Sequence, residues 1–165
     1  MKETLEFILN GAAVKRFHTV TVLHEETVGH HSHNVAMMCL LLNPHASRNL
    51  LMAAMFHDLS EHKTGDIPSP AKKEYKITEQ VTSLENDLMV SAGIQFPTLT
   101  EQEERTLKLA DIASGMIYCI QEAQMGNVKM LKILETYSGY AASKVLVDKE
   151  EDLFIHIEEL QLEGL

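Results

Sequence analysis

Apolar positions recur at a helical period through nearly the whole chain, and Gly, Asn and Pro punctuate the segments. Residues 3–10 (ETLEFILN) predict a short helix stopped at Asn10-Gly11. Residues 14–28 mix basic, aromatic, β-branched and acidic side chains with no clean period and read as loop. From Gly29 a helix places His31, Val35, Met38 and Leu42 at i, i+4, i+7 and i+11, a single buried stripe ended by Asn43-Pro44. A second helix is expected from about Ser47 to Lys63, followed by a loop marked by Gly65, Pro68 and Pro70. Residues 78–92 predict a third helix, opened by Thr78 as its cap and closed at Gly93. Thr100-Glu-Gln-Glu is a capping box for a long helix reaching about Met125, stopped at Gly126-Asn127. Segments 128–144 and 148–161 complete the pattern, with no internal repeat, linker or low-complexity tract. The expectation is an all-α fold in a single domain over residues 1–165.

At 165 residues the chain is long enough for one real core and short for two. No apolar run approaches the roughly 18–20 residues that cross a bilayer, and the N-terminal segment lacks a secretory pattern. Cys39 and Cys119 both sit in apolar surroundings and read as reduced core residues, which points to a cytoplasmic protein. The net charge of −10 argues against polymeric nucleic acid and anionic membranes as partners. An anionic ligand would need a local cluster of cations or a metal to draw it in.

Chemistry concentrates in FHDLSEHKTGD, residues 56–66, where apolar sequence runs into adjacent His57 and Asp58, with Glu61 following. Buried imidazole and carboxylate groups are unfavourable unless hydrogen-bonded, paired or bound to metal. His31 lies on an inward stripe upstream, in GHHSHNVA. Asp111 shares a helix face with Leu107, Gly115 and Tyr118 downstream, in LKLADIASGMIY. A His, a His-Asp pair and an Asp from three helices would make a four-ligand site for a divalent metal. Each has an ordinary alternative: a core histidine bonded to backbone, a carboxylate capping a helix or pairing with arginine. His30 and His33 are expected to face solvent.

The pattern H…HD…D resembles the HD-domain metal-dependent phosphohydrolases. The wider text, HSHNVA, HDLSEHKTGDIPSPAK and ADIASGMIY, resembles their YfbR-like 5′-deoxynucleotidase branch over roughly residues 10–120. Within that branch the short chain and KRFHTV are most similar to the small phage dATP triphosphohydrolases called DatZ, from phages that replace adenine by 2-aminoadenine in their DNA. The resemblance implies that His31, His57, Asp58 and Asp111 bind the metal (Zn²⁺, Co²⁺ or Mn²⁺), and that Glu61, with Asp58, serves catalysis. Glu61 stands four residues after His57 and three after Asp58, on the same helical face. Arg16 and Lys72 would then contact phosphate, and Asp66 the sugar 3′-hydroxyl. Pro70 would touch the base. Phe17, where relatives carry Trp, would stack on the base or else belong to the core. Asp66 could equally be a turn residue after Gly65. The implied substrate is a 2′-deoxynucleotide, with dATP favoured and deoxynucleoside monophosphates as the alternative. A regulatory domain that keeps the metal without turnover is the competing class. A homo-oligomer, dimer or hexamer, is implied as well. The tail stripe Leu153, Ile157 and Leu160 would serve either that interface or the core.

Overall fold

The computed structural model describes residues 1–164, and the elements are helical from end to end. Helix α1 spans Lys2–Ala12, α2 Val28–Leu42, α3 Arg48–Phe56 and α4 Glu61–Thr64. They are followed by α5 (Ser69–Glu74), α6 (Thr78–Ser91) and the 24-residue α7 (Glu101–Gln124). A 3₁₀ turn, Val128–Met130, leads into α8 (Leu131–Ala142), and α9 (Lys149–Gly164) closes the chain. The axis of the molecule is α7, which packs against α2, α3, α8 and α9. Its buried positions run around the helix, from Leu109 and Ile112 through Met116, Cys119 and Ala123, as a helix enclosed by neighbours requires. The capping box at Thr100 forms as the sequence predicts, with Glu103 and Thr100 satisfying each other's backbone N–H groups.

Leu153 and Ile157 on α9 join the main core beside α7, while Leu160 stays exposed, so most of the tail stripe is spent within the molecule. Cys39 and Cys119 are buried free thiols. No helix among the described residues is long and apolar enough to cross a membrane.

Four local expectations are corrected. Gly11 does not stop α1 but lies inside it, facing the backbone of Leu59. The helix expected from Ser47 to Lys63 breaks after Phe56 and resumes only at Glu61. The loop around Pro68 and Pro70 contains α5, because proline is at home in a first helical turn, where no N–H is needed. Thr78 does not cap α6; Ile77 holds that position without a side-chain bond.

The first two corrections have one cause. A Cβ on Gly11 would lie 2.4 Å from the carbonyl oxygen of Leu59, so only glycine lets α1 settle on the turn between α3 and α4. A methyl group there must push on backbone. Gly11→Ala is therefore expected to destabilise the protein by about 1–3 kcal/mol, as overpacking does. It should also displace the turn that carries His57 and Asp58. A thermal melt reads the first effect, and an unchanged melting temperature would contradict the packing argument.

Candidate active site

The break between α3 and α4 organises the site. In an uninterrupted helix neighbouring side chains diverge around the axis and do not face each other. Here residues 57–60 form a turn with Leu59 and Ser60 buried; His57 and Asp58 come together with His31 of α2, and Glu61 lies near enough to Asp58 for the two carboxylates to interact. One ligand atom from each of His31, His57 and Asp58 lies within 4.8 Å of the others. Asp111 joins them through His31, whose Nε2 lies 3.2 Å from Asp111 Oδ1. His57 Nε2 stands 3.3 Å from Asp58 Oδ2.

The imidazoles test whether this group fits a cation. His57 Nδ1 is 2.9 Å from the Ala54 carbonyl, which can only accept, so Nδ1 carries the hydrogen. In the neutral ring Nε2 then bears a lone pair. His31 Nδ1 lies 3.1 Å from Ser114 Oγ, a hydroxyl that can donate or accept. Both Nε2 atoms are buried and make no well-aligned hydrogen bond, although carboxylate oxygens lie close by. A lone pair aimed at carboxylates is repulsive unless positive charge lies between them. Two imidazoles oriented through Nδ1, with Nε2 directed at two carboxylates, are the usual arrangement of a divalent-metal centre. The donor set fits.

The protonation tendencies of the two rings differ. Burial works against a charged His57, but the adjacent Asp58 carboxylate outweighs it and raises the imidazole above its ordinary value. At His31 burial prevails, aided by the nearby Arg16 guanidinium, and the ring is driven toward its neutral form. Burial alone would raise Asp58; His57 and Arg16 override it and hold the carboxyl well below the usual range. Asp111 is likewise held low against burial by His31 and by the Lys108 ammonium 2.7 Å away. Two carboxylates are thus favoured in their ionised form in a partly buried place.

Arg16 is placed differently from the simple phosphate contact expected of it. Its Nη1 donates to Asp58 Oδ2 at 2.8 Å and its Nε to Glu26 Oε2 at 3.1 Å, with both partners largely enclosed. These bonds use Nε and Nη1 and leave Nη2 uncommitted among the described residues. A short antiparallel contact between Lys15 and Thr27 makes this possible, since Arg16 N–H donates to the Glu26 carbonyl at 2.9 Å. Burial pushes the Glu26 carboxyl up to about 7 despite the pull of Arg16. Glu26 thus anchors Arg16 toward the metal-ligand group.

Glu61 is 4% exposed, and its Oε2 has no hydrogen-bond partner. Burial first, then the neighbouring Asp58 and Asp66 carboxylates, push it up to about 10. Its charge state depends on what positive charge sits nearby.

The remaining candidates line the approach. Phe17 adopts φ of 54°, a left-handed conformation that bulky residues rarely take, and its N–H donates to Asp66 Oδ2 at 3.1 Å. Its ring stacks on Tyr118 with centroids 4.7 Å apart. One face is therefore used by the core, which is the core alternative for Phe17. Asp66 holds that backbone through one oxygen. Lys72 reaches across to Glu85 on α6, 3.4 Å away, instead of pointing freely into the site. Pro70 lies exposed in the first turn of α5. His30 and His33 are exposed, as expected.

Sequence reasoning missed Glu26, Ser114 and Glu122. Buried Glu122 accepts the N–H groups of Leu23 and His24 at 2.8 and 2.7 Å and the Asn127 amide at 2.8 Å. Asn127 also reaches the Thr21 carbonyl, and Tyr118 donates to that of His24. This clip fastens the aperiodic 17–25 segment onto α7. Glu26 and Glu122 look like solvated acids in a one-dimensional reading, and only the lone acid in the apolar run of α7 hinted otherwise.

A family model described as 5′-deoxynucleotidase YfbR-like matches residues 5–154. The 5′-deoxynucleotidase YfbR of Escherichia coli is 31% identical, over 72% of this chain and 71% of its own. A 5′-deoxynucleotidase of Cronobacter sakazakii is 30% identical over the same shares. Among solved structures, the cyanophage S-2L HD phosphohydrolase DatZ, bound to dA and one catalytic Zn²⁺ ion, superposes with a TM-score of 0.70 at 17% identity, covering 96% of both chains. The PH0347 protein of Pyrococcus horikoshii gives 0.64 at 19%, covering 98% of both. These two likenesses carry the helical fold. The sequence match carries more: the chain belongs to the YfbR-like 5′-deoxynucleotidase family and is a hydrolase.

Proposed function

We propose that this protein hydrolyses 2′-deoxynucleotides at the 5′ phosphoester, with dATP as the favoured substrate and deoxyadenosine and triphosphate as products. The observation that carries the reading is the pair of buried, oriented imidazoles facing Asp58 and Asp111, with the unpartnered Glu61 oxygen in the same enclosure. His31, His57, Asp58 and Asp111 would hold a divalent transition ion (Zn²⁺, Co²⁺ or Mn²⁺). Such an ion supplies Lewis acidity, lowering the pKa of water and polarising a phosphoryl oxygen.

The chain's own groups do the rest. Glu61 takes a proton from the attacking water or delivers one to the departing 5′ oxygen as the new P–O bond forms and the P–O5′ bond breaks. Arg16, held by Glu26, offers its uncommitted Nη2 to a phosphoryl oxygen. Lys72 adds a cation to the phosphates once released from Glu85. Phe17 offers its second face to the base, Asp66 takes the sugar 3′-hydroxyl, and Pro70 borders the base. These contacts answer the charge puzzle, since attraction is local within an acidic chain.

The preference for dATP rests on the small phage enzymes that the chain resembles, and DatZ with dA bound shares its fold. Depletion of dATP in a phage whose DNA carries 2-aminoadenine goes with it, as does action in a cytoplasm, where the two free thiols remain reduced. Hydrolysis of deoxynucleoside monophosphates is the second reading, favoured by the names of the curated relatives. Product analysis separates them. Protein supplied with Zn²⁺, Co²⁺ or Mn²⁺ is expected to release triphosphate from dATP faster than phosphate from dAMP, and EDTA to stop both. A reversed order makes the protein a 5′-nucleotidase. We also infer a homo-oligomer, dimer or hexamer, in keeping with the exposed apolar side chains Met37, Leu41 and Met55 on α2 and α3. Light scattering would exclude this by returning a monomer mass.

A further inference from the structure

We propose that Tyr137, on α8, is a further substrate-contacting residue, its hydroxyl donating a hydrogen bond to an oxygen of the phosphoryl group under attack. The inference rests on the phosphohydrolase reading above and adds a donor that the His-Asp motif does not contain.

The placement comes from Gly115. On α7, Gly115 follows Asp111 by four residues, so the two lie on one face, a turn apart. The Tyr137 ring occupies the space that a side chain at 115 would fill: a Cβ there would meet its Cζ at 2.5 Å and its hydroxyl oxygen at 2.8 Å. The phenol is thereby laid across the α7 face just beyond Asp111. The ring is partly buried against the core formed by α7, α8 and α9, so its orientation is fixed by packing. Its hydroxyl makes no hydrogen bond among the described residues, in contrast to Tyr118, whose hydroxyl is tied to the His24 carbonyl.

Electrostatics agrees with this location. Burial is the strongest influence on the phenol, with Arg16, Asp111 and Asp66 all near enough to act on it, and the balance raises its pKa. Tyr137 therefore stays protonated and is a donor, never a base, at neutral pH. Arg16 is reciprocally affected by Tyr137. Arg16 and Asp111 both act on Tyr137, and a phosphoryl group reaching the four residues proposed to hold the metal would approach these same groups. Lys108, next along α7, is occupied by Asp111. A neutral, rigid hydroxyl suits this place because it adds a hydrogen bond without competing with Asp58 and Asp111 for the ion.

The test is Tyr137→Phe, which removes one oxygen and keeps the ring that fills the space over Gly115. Two readouts are taken on the Zn²⁺-loaded protein: kcat/KM for dATP and dAMP, and the affinity for inorganic phosphate by calorimetry. A hydrogen bond to a charged acceptor predicts a loss of about 10- to 100-fold in kcat/KM on both substrates, and weaker phosphate binding. Melting temperature and zinc content should be unchanged. A Phe variant equal to wild type in turnover and phosphate affinity overturns the proposal. A drop in zinc content matching the drop in turnover also overturns it, by moving Tyr137 to the support of the ligands. If the wild-type protein hydrolyses neither nucleotide, the functional reading itself fails, and unchanged phosphate affinity in the variant would then reject Tyr137 separately.

Discussion

Replacing Asp58 with alanine is expected to leave a helical protein with neither metal nor turnover. Asp58 Oδ2 lies 2.8 Å from Arg16, 3.3 Å from His57 and 3.8 Å from His31, so one atom serves three neighbours. Its loss would remove a proposed ligand, take away the charge facing two imidazoles, and free the guanidinium that it orients. Changes to groups that merely support metal ligands weaken binding or activity by about 10- to 100-fold, so removing a direct ligand should exceed about 100-fold in zinc affinity. Turnover should fall below detection. The fold should persist, because Asp58 sits in a turn and the core around α7 does not include it. Zinc content, product release and far-UV circular dichroism on the same preparation decide the matter. Undiminished hydrolysis by a well-folded Asp58→Ala protein would be fatal to the metal-centre assignment.

Glu61→Gln should separate catalysis from metal binding. The amide matches the carboxylate in shape but cannot carry a proton to or from water. Loss of a general acid or base is expected to lower kcat by about 10²- to 10⁴-fold. Zinc content should be retained, since His31, His57 and Asp58 form the ligand cluster without Glu61. Stability should move the other way. An acid whose pKa is raised by folding opposes the folded state once the pH exceeds its unfolded value. Glu61 is raised to about 10, mainly by burial. The metal-free Gln variant should accordingly melt higher than wild type at pH 7. That gain should vanish below the ordinary carboxylate range, where the acid is protonated in both states. An active site that becomes more stable when disarmed is the expected mark of strain held for function. A variant with full kcat would remove Glu61 from the mechanism.

The positive φ at Phe17 belongs to the same pattern. Phe17 is tied through its N–H to Asp66 and through its ring to Tyr118, and the 17–25 segment beyond it is fastened by Glu122. The backbone is thus held in an unfavourable conformation by contacts more than forty residues away in sequence.

The sequence by itself determined the helical architecture, the boundaries of α2 and α7, and the residue types of the proposed metal centre. Periodicity and capping are local, and a spaced His, His-Asp and Asp within a long shared motif is specific chemistry whatever the fold's details. Only the tertiary structure decided where α3 ends, at a turn whose Leu59 backbone meets Gly11 of α1 across the molecule. It decided, too, that Arg16 is bound by Glu26 and Asp58, that Lys72 turns to Glu85, and that Tyr137 lies over Gly115. Each of these is a contact between distant segments. The partner of a buried charge is fixed by packing and desolvation in three dimensions, which no local pattern encodes.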